Sequence, residues 1–411
     1  MNILLINHYA GSVKHGMEYR PFYLAREWIK AGHRVRIVAS AQSHIRAQGP
    51  QLRHLQQLDE CIDGVEYRWL AGRRYRGNGV GRVVNMFGFV TRLWRQASAL
   101  ADDFAPDLVI ASSTYPLDIW PARAIARRAS ARLVFEVHDL WPLSPMELGG
   151  MSRWHPFIAL LQAAENYACR HADVVVSILP KVRAHMEAHG MAPAKLHIVP
   201  NGINAEEWRG TPQPIGGAVG ALFERLRREG MFVVGYAGTH GLANALEVLL
   251  DAAALMRDEP VAFVLIGGGP EQEKLMRAAR LAGLCHVYFA QAVPKHEIPA
   301  LLAAFDVAYI GWRRHPHYRF GISPNKLMDY MMAGRPVLHS VEAGNDPVGE
   351  AACGITVEPE DPRAIAQAIR ELCALDPVVR AAIGQRGHQF VCKHLTYQVL
   401  GPAFLRACAE T

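Results

Sequence analysis

The stretch Gly321 to Asp329 reads GISPNKLMD. Ser323 suits a helix N-cap and Pro324 the first helical position, with Asn325 and Lys326 inside the first turn. Free N–H groups at that end attract an anion, and a lysine there opposes the helix dipole unless something negative is bound. Arg313, Arg314 and Arg319 stand just upstream, in GWRRHPHYRFG. A diphosphate is the ligand that best accounts for these cations around one helix start. Asp329, about one turn beyond Lys326, shares its face and suits the two vicinal hydroxyls of a ribose. An intrahelical Lys326–Asp329 pair, worth about 0.2–0.5 kcal/mol, is the alternative for those two residues, but it accounts for neither the cap nor the arginines.

Other candidates lie at strand ends. FEVHDLWPLSP closes a strand-like run on His138-Asp139, where a histidine can act as acid or base or orient a hydroxyl, the plain alternative being a loop histidine bonded to backbone. Gly11 follows the first apolar run, and Gly238 and Gly241 follow FVVGYA; such loops bring backbone N–H groups close to a phosphate or sugar, or are simply tight turns. Neither is a full G-x-G-x-x-G, so a dinucleotide cofactor is not supported. LIGGGPEQEKL starts a helix at Pro270, and its acidic first turn, Glu271 and Glu273, disfavours phosphate there. A further feature spans Arg73 to Arg95, RRYRGNGVGRVVNMFGFVTRLWR, where six arginines and no acid flank an apolar, aromatic series. That combination suits a helix lying in an anionic membrane interface, or a core helix with its cations outside. No nucleic-acid motif accompanies the charge.

These residues need a scaffold. Short, continuous apolar runs (NILLIN, RVRIVAS, DLVIASS, RLVFEVH, ADVVVSI, KLHIVPN, then FVVGYAG, VAFVLIGGG, HVYFAQ, DVAYIGW, RPVLHSV) alternate with helical patterns such as RPFYLAREWIKAG and ALEVLLDAAALM. Apolar strands without alternation belong to parallel sheets buried on both faces, so two successive sets predict two doubly wound, Rossmann-like α/β domains. With 411 residues, half of them hydrophobic, two cores are expected. The boundaries read as an N-terminal domain over 1–207, a Gly/Pro-rich linker over 208–220, a C-terminal domain over 221–390 and a last helix over 391–411 that packs back on the first domain. In such sheets ligands sit beyond the carboxyl ends of the strands, which places the expected site in the cleft between the domains.

Charge is uneven: residues 1–205 carry 24 Lys/Arg against 16 Asp/Glu, and residues 206–411 carry 20 against 22. The basic half suits an anionic partner. Seven cysteines, none in C-x-x-C spacing, read as reduced thiols. The opening MNILLINHYAG lacks the pattern of a signal peptide, and no run reaches a membrane span, so the expected place is the cytoplasm with at most a peripheral attachment to the inner membrane.

Together these residues resemble family 4 of the retaining glycosyltransferases, which have the GT-B fold, along nearly the whole chain. The glycine-rich first loop is similar to HYAGSVKHGMEYRPFYLAREWIKAGHRVRIV, the strand-end histidine to His138, and the interdomain PNG signature to Pro200-Asn201-Gly202. GYAGTHG, IGGGPEQEKL and VPKHEIPALLAAFDVAYIG resemble second-domain elements, and GISPNKLMDYMMAGRPV resembles the helix that carries the family's two acids eight residues apart. Asp329 takes the second acidic place and Gly321 the first, where no side chain contacts the donor sugar. Thr239 and Asn244 stand near the places of the usual basic pair. The SPNK form is similar to the subgroup that includes N-acetyl-L-fucosamine transferases of O-antigen and capsule assembly.

The resemblance implies an enzyme of the hexosyltransferase class that moves a sugar from a UDP-sugar to a lipid diphosphate-linked glycan, in surface polysaccharide biosynthesis. Catalytic roles fall on His138, Lys326 and Asp329, and donor contacts on Gly11, Gly238, Thr239, Gly268, Val293, Arg319, Ile322, Ser323, Pro324 and Asn325. Membrane contact falls on Arg73, Arg74, Phe87, Arg92, Trp94 and Arg95. No cofactor is expected and no metal is required, since no Asp-x-Asp motif closes a strand; nucleic acid is not an expected partner. A sugar-nucleotide epimerase on the same fold, or a two-domain sugar-binding protein without turnover, are the alternatives.

Overall fold

The computed structural model describes residues 1–44, 46, 48–52, 55–75, 77, 79–210 and 213–409. Arg76 of the basic run, residues 211–212 of the expected linker and residues 410–411 at the end of the last helix lie outside the described residues. The chain forms two compact units, one of residues 1–201 with 397–411 and one of residues 202–396.

The first unit is built on β1 (Asn2–Ile6), β2 (Arg34–Ser40), β3 (Gln57–Ile62), β4 (Val65–Leu70), β5 (Leu108–Ala111), β6 (Arg132–Val137), β7 (Val174–Ser177) and β8 (Leu196–Ile198). Their order is β3-β4-β2-β1-β5-β6-β7-β8, parallel except for the β3–β4 hairpin. That hairpin turns at Asp63-Gly64, whose positive φ values of 49° and 83° are those of a tight hairpin turn. Four-residue runs such as Leu108–Ala111 and Val174–Ser177 are buried throughout, as a sheet covered on both faces requires. Since β1 is flanked by β2 and β5, the chain reverses direction between β1 and β5, and Asn7-His8 and Ser112-Ser113 stand at the carboxyl side of that switch point.

The second unit holds β9 (Phe232–Thr239), β10 (Val261–Gly268), β11 (Val287–Ala290), β12 (Val307–Gly311), β13 (Val337–Ser340) and β14 (Gly354–Val357), all parallel, in the order β11-β10-β9-β12-β13-β14. Here the switch point lies between β9 and β12, at Gly238–His240 and Trp312-Arg313. Gly235, within β9, has the Phe305 ring 2.2 Å from where a Cβ would stand, so only glycine lets that ring pack on the strand.

The unit boundary falls inside the Pro200-Asn201-Gly202 signature and not in the expected 208–220 linker. Composition marked irregular backbone, but burial decides the boundary: Ile203 belongs to the second core, donates its N–H to Leu395 O, and is followed by Trp208 packed on the same cluster. Residues 217–220 already lie in the helix Gly217–Arg228. The final helix, Tyr397–Ala409, joins the first unit through Trp28, whose ring packs 5.2 Å from Phe404 and whose Nε1 donates to Gly401 O. All seven cysteines are free. No helix among the described residues is long and apolar enough to cross a membrane.

Candidate active site

In the second unit the helix Asn325–Met332 carries Lys326 to the carboxyl end of β9. The ammonium donates to Tyr236 OH at 2.6 Å and to Asn244 Oδ1 at 3.3 Å, and stands 4.1 Å from the Tyr236 ring centre. Tyr236 OH in turn donates to Thr239 O, as does Asn244 Nδ2. The lysine is therefore aimed by Tyr236, a strand residue that the sequence pattern did not single out, and by Asn244, which stands near a place of the usual basic pair. Burial pushes its ammonium down to about 7. Gly238 admits it: a Cβ there would lie 2.7 Å from Lys326 Cε. Gly267 and Gly269 have φ of 135° and 153° and would drive a Cβ into the Gly238 and His240 carbonyls, so three glycines let β9 and β10 end in closely packed bare backbone. Gly268, at the end of β10, accepts from His240 N. His240 itself is fully buried, with neither ring nitrogen hydrogen-bonded.

Asp329 forms no ion pair with Lys326; the charged groups acting on it are Lys295 and Glu207, which bond to each other at 2.7 Å. Val293, two residues before Lys295, packs against the second core. Burial pushes the Asp329 carboxyl up to about 7, with Lys295 opposing and Glu207 reinforcing.

Three expectations around this helix are corrected. Pro324, with extended backbone, occupies the cap position and Asn325 the first helical one, so Ser323 stands one residue too early to cap. Arg313 is held by Glu247, and Arg314 by Glu358 and Glu342, so neither belongs to a cationic ring around the helix start. Acids distant in sequence capture them, which local spacing cannot reveal. Arg319 is exposed, donates to Pro316 O and lies over Phe320 at 4.3 Å. Gly321 has φ 92° and ψ 175°. An acid placed there would cost about 1–3 kcal/mol in backbone strain, so its absence is built into the backbone. Asn345 fixes the next residue, accepting from Ile322 N at 2.7 Å and donating to Ile322 O at 3.1 Å.

In the first unit His138 is held by side chains. Its Nε2 lies 3.0 Å from Ser112 Oγ and 3.3 Å from Glu136 Oε2, and Ser112 Oγ donates to that same carboxylate oxygen. Glu136 Oε1 receives Arg20 Nε at 2.9 Å, and Arg20 donates onward to Val199 O and Pro200 O. Burial opposes the charge on Glu136, yet Arg20 and His138 outweigh it and hold the carboxyl well below its usual range. Asp139 instead braces its own loop, accepting from Leu140 N, Ser144 Oγ and Trp141 Nε1. Gly11 offers no free N–H: it donates to Glu18 O, and the Gly16 carbonyl would lie 1.7 Å from a Cβ, so chain-on-chain packing is what demands glycine. His8 is fully buried beside these groups, bonded to Tyr115 OH, and burial pulls its pKa down to about 3.

The basic, aromatic run forms the helix Val80–Arg95, with Met86, Phe89 and Leu93 in the core. Phe87 and Trp94 are exposed on it, 40% and 53%, as are Val80 and Val84. Arg73, Arg74 and Arg95 are exposed, Arg92 bonds Gly88 O of its own helix, and Arg82 turns inward to Tyr9 and Trp141. Beside this helix a groove of about 750 Å³ runs past Val83, Met86, Leu148 and Phe157 to Thr114 and Asp139, next to His138 in the chain.

Comparison with known proteins agrees with both halves. A glycosyl transferase 4-like domain matches residues 15–202 and a glycosyl transferases group 1 domain matches residues 231–374. WbjE of Pseudomonas aeruginosa, named as a glycosyltransferase, is 24% identical over 74% of this chain and 74% of its own. WcaI of Escherichia coli, named for a glycosyl transferase of colanic acid biosynthesis, is 26% identical over 62% of this chain and 63% of its own. Among solved structures, Anabaena HepE in complex with UDP and glucose superposes with TM-score 0.68 at 17% identity over 99% of both chains. Sucrose-phosphate synthase from Thermosynechococcus elongatus does so with TM-score 0.71 at 17% identity, over 100% of this chain and 98% of its own. With one glycosyltransferase domain on each unit and this fold throughout, the chain belongs to the GT-B glycosyltransferases of the family 4 type.

Proposed function

We propose that the protein is a retaining glycosyltransferase that holds a UDP-sugar on its second unit and extends a lipid diphosphate-linked glycan in surface polysaccharide biosynthesis. The observation that carries the reading is Lys326, presented by Tyr236 and Asn244 at the carboxyl end of β9, above the bare backbone of Gly238, Gly267 and Gly269. HepE bound to UDP and glucose, and the relatives WbjE and WcaI, support the donor and pathway classes. Lys326 and the start of its helix take up the charge of the leaving UDP, so the transfer step needs no metal. Asp329 accepts from the ribose hydroxyls and His138 positions the sugar. The acceptor oxygen bonds to the anomeric carbon on the face that UDP leaves, which keeps the configuration. The donor sugar is an N-acetylamino sugar of the N-acetyl-L-fucosamine kind, held without an acid at Gly321.

The test is incubation with a panel of UDP-sugars and a polyprenyl diphosphate-linked saccharide. Extension of the lipid-linked glycan from one donor is the expected result; release of free UDP without extension would favour epimerase chemistry, and neither turnover nor UDP binding would sink the reading. The exposed Phe87, Trp94, Arg73, Arg74 and Arg95 support a peripheral seat on an anionic inner-membrane surface at the cytoplasmic side. Changing Phe87 and Trp94 to Ser, and the three arginines to Ser, should lower cosedimentation with anionic vesicles; unchanged cosedimentation would remove this face from the proposal.

A further inference from the structure

Glu165, on the helix Pro156–His171, and the pair His185 and His189, on and just after the helix Arg183–Ala188, form a cluster that no step of the transfer uses. The two histidines are four residues apart and so share one face. A carboxylate oxygen and one ring nitrogen from each histidine all lie within 4.8 Å of one another. Glu165 is 2% exposed.

Hydrogen-bond accounting fixes the state of His189. Gln162 Nε2 lies 2.8 Å from Glu165 Oε2, 2.9 Å from Asn166 Oδ1 and 3.0 Å from His189 Nδ1. Its amide has two hydrogens, and the two oxygens take both. A flipped Gln162 would set its own carbonyl against the Glu165 carboxylate. His189 Nδ1, 2.9 Å from Asn166 Oδ1, is then the N–H donor of that contact. Nε2 is left with a bare lone pair facing Glu165 Oε2 at 3.9 Å, two acceptors opposed with no hydrogen between them. The other carboxylate oxygen lies 2.8 Å from His185 Nε2.

We propose that Glu165, His185 and His189 bind one divalent metal ion of the zinc type, with the fourth position open to water. Two imidazoles and a carboxylate are a zinc donor set, and bonds of about 2.0–2.2 Å place neighbouring ligand atoms of a tetrahedron about 3.3 Å apart. His185 lies 2.8 Å from one oxygen of the carboxylate and His189 3.9 Å from the other, and one ligand atom from each of the three residues falls within 4.8 Å of the others, so closure needs side-chain shifts of about 1 Å. On binding, the His185 Nε2 hydrogen is given up, to the ring's own Nδ1 or to solvent, leaving both Nε2 atoms as ligands. Asn166, by holding His189 Nδ1–H, orients one ligand from behind. The ion would clamp the two helices together, and the metal-free chemistry proposed at the diphosphate is a separate matter.

The test uses the full chain without a polyhistidine tag, stripped by a chelator and titrated with cobalt(II). The expected result is the visible absorption of tetrahedral cobalt, displaced by zinc, with one zinc retained per chain after dialysis. His189→Gln, at a position 24% exposed and so tolerant of change, should abolish the spectrum, as should Glu165→Gln. Asn166→Ala should weaken zinc binding roughly 10–100-fold. No tetrahedral spectrum in the wild-type chain, or the same spectrum in a folded His189→Gln chain, would overturn the proposal.

Discussion

Replacing Lys326 with methionine should lower kcat for UDP-sugar turnover by about 10²–10³, the scale of losing one preorganised charge stabiliser of a leaving group. Methionine keeps much of the stem that passes Gly238 and lies on Tyr236, so the loss isolates the charge from the packing. The same variant should change the pH dependence of UDP binding, read by calorimetry. Burial pushes the lysine down to about 7, so above neutrality the free protein holds it uncharged, and a bound diphosphate restores the proton. Binding then takes up a proton, and affinity should fall by about tenfold per pH unit above that point. Burial pushes Asp329 up to about 7, so below neutrality the proposed ribose contact must first release a proton, and affinity should fall on that side too. Wild-type affinity should peak near neutral pH; Lys326→Met should keep the acid limb and lose the alkaline one. Unchanged kcat together with an unchanged alkaline limb would remove Lys326 from the site.

What the sequence made legible was local. Continuous apolar runs announced parallel strands, and the Lys326 and His138 positions followed from their places at a helix start and a strand end. The partners that aim them did not follow, because they come from distant parts of the chain: Tyr236 and Asn244 reach Lys326 across about 80–90 residues, and Ser112 reaches His138 across 26. Glu136 had a readable signal, an acid among the apolar residues from Leu133 to Val137, which implies a buried counter-charge. Arg313 and Arg314 misled for the converse reason, since adjacency to the helix start says nothing about the acids that claim them. Gly321 looked like a missing acid by alignment of spacing, whereas its positive φ makes it a backbone requirement.

Arg20→Met should destabilise the protein by about 3–5 kcal/mol, because it strands the Glu136 carboxylate in the interior. Both side chains are 1% exposed and 2.9 Å apart, and Arg20 also ties down the carbonyls of Val199 and Pro200 at the end of the first unit. Arg20 and His138 hold the Glu136 carboxyl well below its usual range, so its contribution is present in full above the unfolded carboxylate pKa. It is lost only as pH falls through the depressed folded value. Urea unfolding of the full chain at neutral pH reads the change, and a loss within about 0.5 kcal/mol, the range of a surface substitution, would show that the pair does not brace the unit. The double variant Arg20→Met with Glu136→Leu separates the two roles of the acid. Removing both charges leaves no buried ion, so stability should return most of the way. His138 and Ser112 then face no carboxylate, so kcat should stay depressed although the fold is restored. A double variant with full activity would mean that Glu136 serves the fold alone and that His138 needs no acid behind it.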